Sequence, residues 1–119
     1  MSPRNPGGRA VSEPFRVATE RSQETQRIIA AGELDIATVP QLEQAFDAAM
    51  DSGAEHVVVD LGSVTFIDST GLRLLIRMNE RCPNGRLAIR STPVVDRLLE
   101  ITGLLDQLPL LPDDPAPAS

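Results

Sequence analysis

HVVVDL, residues 56–61, and VTFIDSTGL, residues 64–72, stand in the middle of the chain and reveal its architecture. Three consecutive β-branched valines in a short apolar run suit a central strand covered by its neighbours. VTFID then leads into a helix beginning at Ser69. Leu72, Leu75 and Ile76 form its apolar stripe, and Arg73, Arg77 and Glu80 share its wet face, where one i,i+3 ion pair can form. A covered strand running into an amphipathic helix is one βα step, and the flanking sequence supplies the others.

Upstream, FRVATE (15–20) alternates apolar and polar residues as a strand with one wet face does, and TQRIIAA (25–31) returns beside it after a polar turn around Ser22–Glu24. GELD (32–35) breaks that pattern and is expected to be a loop. Thr38 and Gln41 have capping-box spacing. Leu42, Ala45, Phe46 and Ala49 follow at i, i+3, i+4 and i+7, which predicts a helix ending near Gly53. Downstream, Pro83-Asn84-Gly85 turns the chain, and RLAIR (86–90) alternates with Leu87 and Ile89 on one face. Thr92-Pro93 caps and starts a third helix, with Val94, Leu98 and Ile101 towards the core and Gly103 as its stop. Leu104–Leu111 is expected to add a short helix or an edge strand.

The order β-β-α-β-α-β-α predicts a single α/β domain, an open mixed β-sheet with crossover helices, over residues 15–111. Residues 1–14, rich in Pro, Gly, Ser and Arg without periodicity, are expected to be a disordered leader. PDDPAPAS (112–119) is expected to be a disordered tail.

Composition narrows the function. Of 119 residues, 41% are hydrophobic and 24% charged; all 11 basic residues are Arg, and 17 acids leave a net charge of −6. That acidic surplus argues against a general nucleic-acid binder, which needs a basic face. Three Phe with no Trp or Tyr leave little material for base stacking. One cysteine, Cys82, and one histidine, His56, exclude a disulfide framework within the chain and a Cys-based zinc cluster. No apolar run approaches the roughly twenty residues needed to span a bilayer. No secretory signal pattern is visible either. The expectation is a cytoplasmic protein with no metal site, no direct nucleic-acid contact and no membrane contact.

Asp68-Ser69-Thr70-Gly71 lies where a buried strand meets a helix N-terminus, the favoured place for a functional group in an open α/β sheet. Ser69 reads as an N-cap whose hydroxyl lies beside unpaired backbone N–H groups. Those groups and the helix dipole would favour a phosphate on that hydroxyl by about 0.3–1 kcal/mol. Gly71 removes a side chain from the first turn, so another backbone can approach. Glu33 and Asp35 in GELD could be an acid/base pair only if something ordered a substrate beside them, and a solvated loop is the plainer reading. His56 opens a strand as a partly exposed edge residue, and Cys82 precedes Pro83 in a turn. Walker-type, H-E-x-x-H and G-x-S-x-G patterns are absent from the sequence. Serine-nucleophile chemistry at Ser69 with Asp68 as base would need an oriented histidine, and His56 sits at the far end of a strand.

GELDIAT (32–38), VVVDLGSVTFIDSTGL (57–72) and STPVVDRLLEITGL (91–104), in this order and spacing, resemble the STAS domain of bacterial anti-sigma-factor antagonists from about Phe15 to Leu111. The resemblance implies a protein with no catalytic activity of its own. Unphosphorylated, it would bind an anti-sigma factor that is also a serine kinase and so free the sigma factor. The kinase would switch it off by phosphorylating the Ser that follows the Asp of the D-S-[ST]-G-L block, which is Ser69. Thr70 fills the adjacent place, where a second Ser is frequent. No cofactor is implied, ATP and Mg²⁺ being the partner kinase's, and a phosphatase would reset the switch. GELD would lie beside the phosphosite, with Asp35 as a contact or orienting residue. The implied partner-binding set is Asp35, Asp68, Thr70, Gly71, Leu72 and Arg73. STAS domains also serve as scaffold or adaptor subunits of stress-signalling or lipid-transport complexes, which is the alternative.

Overall fold

Alternation along the strands sorts their residues between two unlike faces. The computed structural model describes residues 14–111. The leader and tail expected from the sequence therefore lie outside the described residues, apart from Pro14. β1 (Arg16–Ser22) and β2 (Thr25–Leu34) form an antiparallel hairpin, followed by α1 (Val39–Asp51), β3 (His56–Ile67), α2 (Ser69–Arg81), β4 (Leu87–Arg90) and α3 (Pro93–Thr102). The sheet order is β1-β2-β3-β4, with β2, β3 and β4 parallel. The open mixed sheet with crossover helices is thus the observed architecture.

Ile28, Val59 and Ile89 register across the three parallel strands, and all are fully buried. Buried residues of all three helices join this face in one core: Leu42 and Phe46 from α1, Leu74 and Leu75 from α2, Val95 and Leu99 from α3. The opposite face is only partly covered. It carries Arg27, Val58 and Arg90, and Arg27 pairs there with the buried carboxylate of Asp60. Of the valine run, then, Val57 and Val59 are core, whereas Val58 is half-buried on the other side.

Several boundaries differ from the sequence expectation. β2 continues through GELD as far as Leu34, instead of ending in a loop at Gly32. Register shifts between Ile29 and Ala31 and between Gly32 and Glu33, with φ +107° at Gly32, let the strand pass its glycine. β3 runs for 12 residues, from the HVVVDL run on through VTFI. In α3 the apolar stripe is rotated by one residue. Val95 and Leu99 are buried, while Val94 and Ile101 are 50% and 69% exposed. The Thr92 hydroxyl caps the helix as expected, accepting from Val95 N–H. Gly103 ends the helix at φ +79°, as expected. Beyond it, a 3₁₀ turn (Leu105–Gln107) and a parallel bridge between Leu110 and Ile89 supply both of the anticipated alternatives.

α2 lies against α1 through more than apolar contact. Arg77 pairs with Glu43 at 3.6 Å, not with Glu80, and Arg81 reaches Asp47 at 2.6 Å while covering the Phe46 ring. Exposed pairs of this kind contribute about 0–1 kcal/mol each, so burial dominates the helix packing. Ile76 is only half-buried; Leu74 and Met78 take its expected place in the core.

Cys82 follows α2 and is buried, with Sγ 3.4 Å from the Met50 Sδ. Burial pushes its thiol above the usual range, against the weaker opposing pull of Arg86 and Arg81. The native protein is therefore expected to react with iodoacetamide about tenfold or more slowly than the same chain in urea, since the thiolate is the nucleophile. Equal labelling rates in both conditions, followed by intact mass, would contradict this burial.

Candidate functional site

Leu34 and Ile67 end their strands as a registered pair. The chain leaves both at the same edge of the sheet, the carboxyl ends of the parallel strands, so Asp35 and Asp68 emerge side by side. A hydrogen bond from Asp68 N–H to the Leu34 carbonyl (3.2 Å) ties the two exits together. The expected neighbourhood of GELD and the D-S-T-G block follows from this register.

At the β2 exit the Asp35 carboxylate folds back on its own turn, accepting from Ala37 N–H at 2.9 Å and from Thr38 N–H at 3.3 Å. The Thr38 hydroxyl accepts from Asp35 N–H at 2.9 Å and donates to the Glu33 carbonyl at 2.7 Å. Thr38 is the N-cap of α1 by position, but its side chain caps nothing in the helix. The expected capping box with Gln41 is replaced by this strand-to-helix brace. Asp35 thus closes its own turn, with Ile36 at the tip. That side chain is 74% exposed.

At the β3 exit the N-cap is Asp68, not Ser69: its Oδ1 accepts from Gly71 N–H at 3.0 Å. Asp68 has the extended backbone that an N-cap requires, with φ −109° and ψ −173°. Ser69 is displaced by one place into the first helical position, and its side chain is exposed. A capping serine would have its hydroxyl tied down; this one is presented to solvent. Thr70 is half-buried beside it, and Arg73 is exposed one turn further along.

Gly71 and Leu72, which the resemblance puts in the partner-binding set, lie inside, Leu72 as its place in the apolar stripe of α2 predicts. Leu72 is 6% exposed and belongs to the core. Gly71 is buried. A Cβ built there would stand 2.7 Å from the Ile67 Cγ1 and 3.1 Å from the Leu34 Cγ. Side chains of the two strand ends, rather than another backbone, occupy the space that the glycine leaves. Both residues support the site from beneath and offer nothing to its surface.

The surface at this edge therefore consists of Ser69, Arg73, Ile36 and the acids Asp68 and Asp35, with Phe66, 47% exposed, in register with Glu33. Ile36 and Phe66 are the members that the sequence reading misses. Ile36 carries a signal, since it is a large apolar residue out of phase with both β2 and the Leu42/Phe46/Ala49 stripe of α1. Glu33 is exposed and Asp35 is occupied by backbone amides, so the two do not form an acid/base pair. His56 is exposed at the start of β3, a full strand length away. Among the described residues no group of three or more His, Cys, Asp or Glu could hold a metal ion, and no helix is long and apolar enough to cross a membrane.

Comparison with known proteins agrees with this geometry. A sequence profile described as "Mlab, STAS domain" matches residues 17–112. The anti-sigma-B factor antagonist of Staphylococcus aureus is 32% identical over 95 residues, which cover 77% of this chain and 88% of that protein. The crystal structure of an anti-sigma factor antagonist from Mycobacterium paratuberculosis superposes with a TM-score of 0.76 at 29% identity, covering 86% of this chain and 91% of that one. The anti-sigma factor antagonist SpoIIAA, solved in its unphosphorylated form, superposes with a TM-score of 0.60 at 25% identity, over 84% and 90% of the two chains.

Proposed function

The chain belongs to the STAS-domain family, and from that premise we propose that it is an anti-sigma factor antagonist switched by phosphorylation of Ser69. The single observation that carries the switch is the placement of Ser69. Asp68 takes over the cap, so the serine hydroxyl is exposed at the helix start and free for transfer chemistry. The unphosphorylated chain binds an anti-sigma factor and thereby frees a sigma factor. A partner that is also a serine kinase brings ATP and Mg²⁺ and transfers the γ-phosphoryl to the Ser69 oxygen. A phosphatase removes it. The chain itself supplies no catalysis and needs no cofactor, and the exchange takes place in the cytoplasm without direct contact to nucleic acid or membrane. Residues 15–111 form the STAS domain that carries all of this.

The contacts proposed are the exposed residues of this edge. Ile36 offers an apolar anchor, held rigid by the Asp35 turn, beside the hydroxyl that the kinase must reach. Asp68 and Thr70 flank the hydroxyl, and Arg73 continues the same face of α2.

The test is incubation of the full chain with anti-sigma factor kinases and ATP, followed by mapping of the phosphate by mass spectrometry. Wild type is expected to carry one phosphate, at Ser69. Ser69→Ala is expected to lose more than nine-tenths of the label, and Thr70→Ala to keep it, because the half-buried Thr70 is less accessible than Ser69. Full labelling of Ser69→Ala would remove the phosphosite. Stable capture of a partner without kinase activity would favour the adaptor role in a stress-signalling or lipid-transport complex.

A further inference from the structure

Ser69 and Arg73 lie one helical turn apart on the exposed side of α2. Side chains on a helix lean towards its N-terminus, so the Arg73 guanidinium is carried back over the turn that Ser69 begins. Arg77 and Arg81, further along the helix, are engaged by Glu43 and Asp47 of α1. Arg73 has no such partner among the described residues. An exposed, unengaged arginine thus stands at i+4 from the hydroxyl. An acid placed four residues before a base is also the favourable order for a helical pair.

Building on the reading of Ser69 as the phosphosite, we propose that Arg73 is an internal clamp for the phosphoserine. Once Ser69 is phosphorylated, the guanidinium closes on the phosphate within the same chain and donates two parallel N–H···O bonds. Of the amides at the helix start, Gly71 N–H is already taken by Asp68, so the phosphate has fewer of them to draw on. The acids at this edge (Asp68 on the cap, Asp35 and Glu33 at the end of β2) oppose the phosphate charge, and Arg73 is the cation on the phosphate's own helix face. Clamping has a consequence for the switch. Phosphorylation adds an anion to the docking surface and also withdraws a cation from it, so a partner acid facing Arg73 loses its contact at the moment the phosphate arrives.

The experiment uses the full chain with phosphoserine inserted at position 69 during translation, so that no kinase is needed. The second ionisation of the phosphate, near pH 6 when unperturbed, is followed by ³¹P NMR. Arg73→Gln is expected to raise the proton affinity of the phosphate about threefold, because an adjacent cation favours the dianion. Arg73→Lys should restore part of that difference. Arg77→Gln, which removes the same charge one turn further along, should change it by less than half as much. The unphosphorylated variants should melt as wild type does. Equal effects of Arg73→Gln and Arg77→Gln, or none, would overturn the clamp. A kinase that fails to label Ser69 would instead sink the phosphosite and leave this titration unaffected, so the two failures are distinguishable.

Discussion

Gly71→Val is expected to destabilise the domain by about 3 kcal/mol, the upper part of the range for forcing extra atoms into a packed core. The cause is space. Gly71 sits in the first turn of α2, and even a single methyl there would meet the Ile67 Cγ1 at 2.7 Å and the Leu34 Cγ at 3.1 Å. Neither neighbour can withdraw cheaply. Ile67 is β-branched and 5% exposed, and Leu34 is fully buried. Helix propensity works the other way, since alanine is about 1 kcal/mol better than glycine in a helix interior. Gly71→Ala therefore partly offsets its own clash and should fall between wild type and valine. Thermal denaturation checks the series: for a domain of this size about 3 kcal/mol lowers Tm by more than roughly 10 °C. A valine variant within 0.5 kcal/mol of wild type would mean that the strand ends are not packed as described. The same wedge links stability to function. Leu34 and Ile67 are the residues from which the Asp35 turn and the Asp68-Ser69 segment emerge, so prying them apart moves both halves of the proposed docking surface.

The element order was legible because each segment had its own period. Alternation gave β1 and β4, and the Leu42/Phe46/Ala49 spacing gave α1. Two kinds of detail were hidden. Competition for a hydroxyl or carboxylate is settled by neighbours distant in the pattern. Thr38 looked like a helix cap but braces the end of β2, and the capping role at α2 went to Asp68 instead of Ser69. Helix phase is the other. In PVVDRLLEIT adjacent apolar pairs fit two stripes equally well, and packing against the rest of the core, which no local pattern carries, buries Val95 and Leu99. For the site, the motif marked Ser69, the apolar stripe of α2 already turned Leu72 inward, and Ile36 stood out as an apolar residue out of phase with its neighbours; no pattern foretold that Ile36 and Ser69 would leave the sheet at one edge or that Gly71 would be wedged against Ile67 and Leu34. Those facts depend on the Leu34–Ile67 register, which joins residues thirty-three positions apart.

Ser69→Glu should weaken binding of the anti-sigma partner by about a hundredfold, or roughly 3 kcal/mol. The fold itself should tolerate the change. Position 69 is exposed and lies in a first turn that holds no other acid, where the helix dipole favours negative charge by about 0.3–1 kcal/mol. Melting temperature is therefore expected to stay within a few degrees of wild type, which separates this variant from Gly71→Val. The loss arises at the interface. On the proposed switch, the hydroxyl is the group that a kinase brings against its bound ATP, so the replaced side chain would meet the partner where the fit is closest. Its charge adds to Asp68 and Asp35 at the same edge, and a buried unpaired charge at an interface costs several kcal/mol. Glutamate also stands at i−4 from Arg73 and can engage it, imitating with one charge what the phosphate does with nearly two. Ser69→Ala removes the hydroxyl without adding charge, so it should bind within about threefold of wild type and persist on the partner because it cannot be phosphorylated. Isothermal titration of the three proteins against one anti-sigma factor gives the comparison. If glutamate binds as tightly as serine while the fold is unchanged, charge at position 69 is not what breaks the complex. The double variant Ser69→Glu/Arg73→Gln then locates the repulsion. If Arg73 shields the carboxylate, the double variant should bind more weakly than Ser69→Glu by more than Arg73→Gln alone weakens the serine protein.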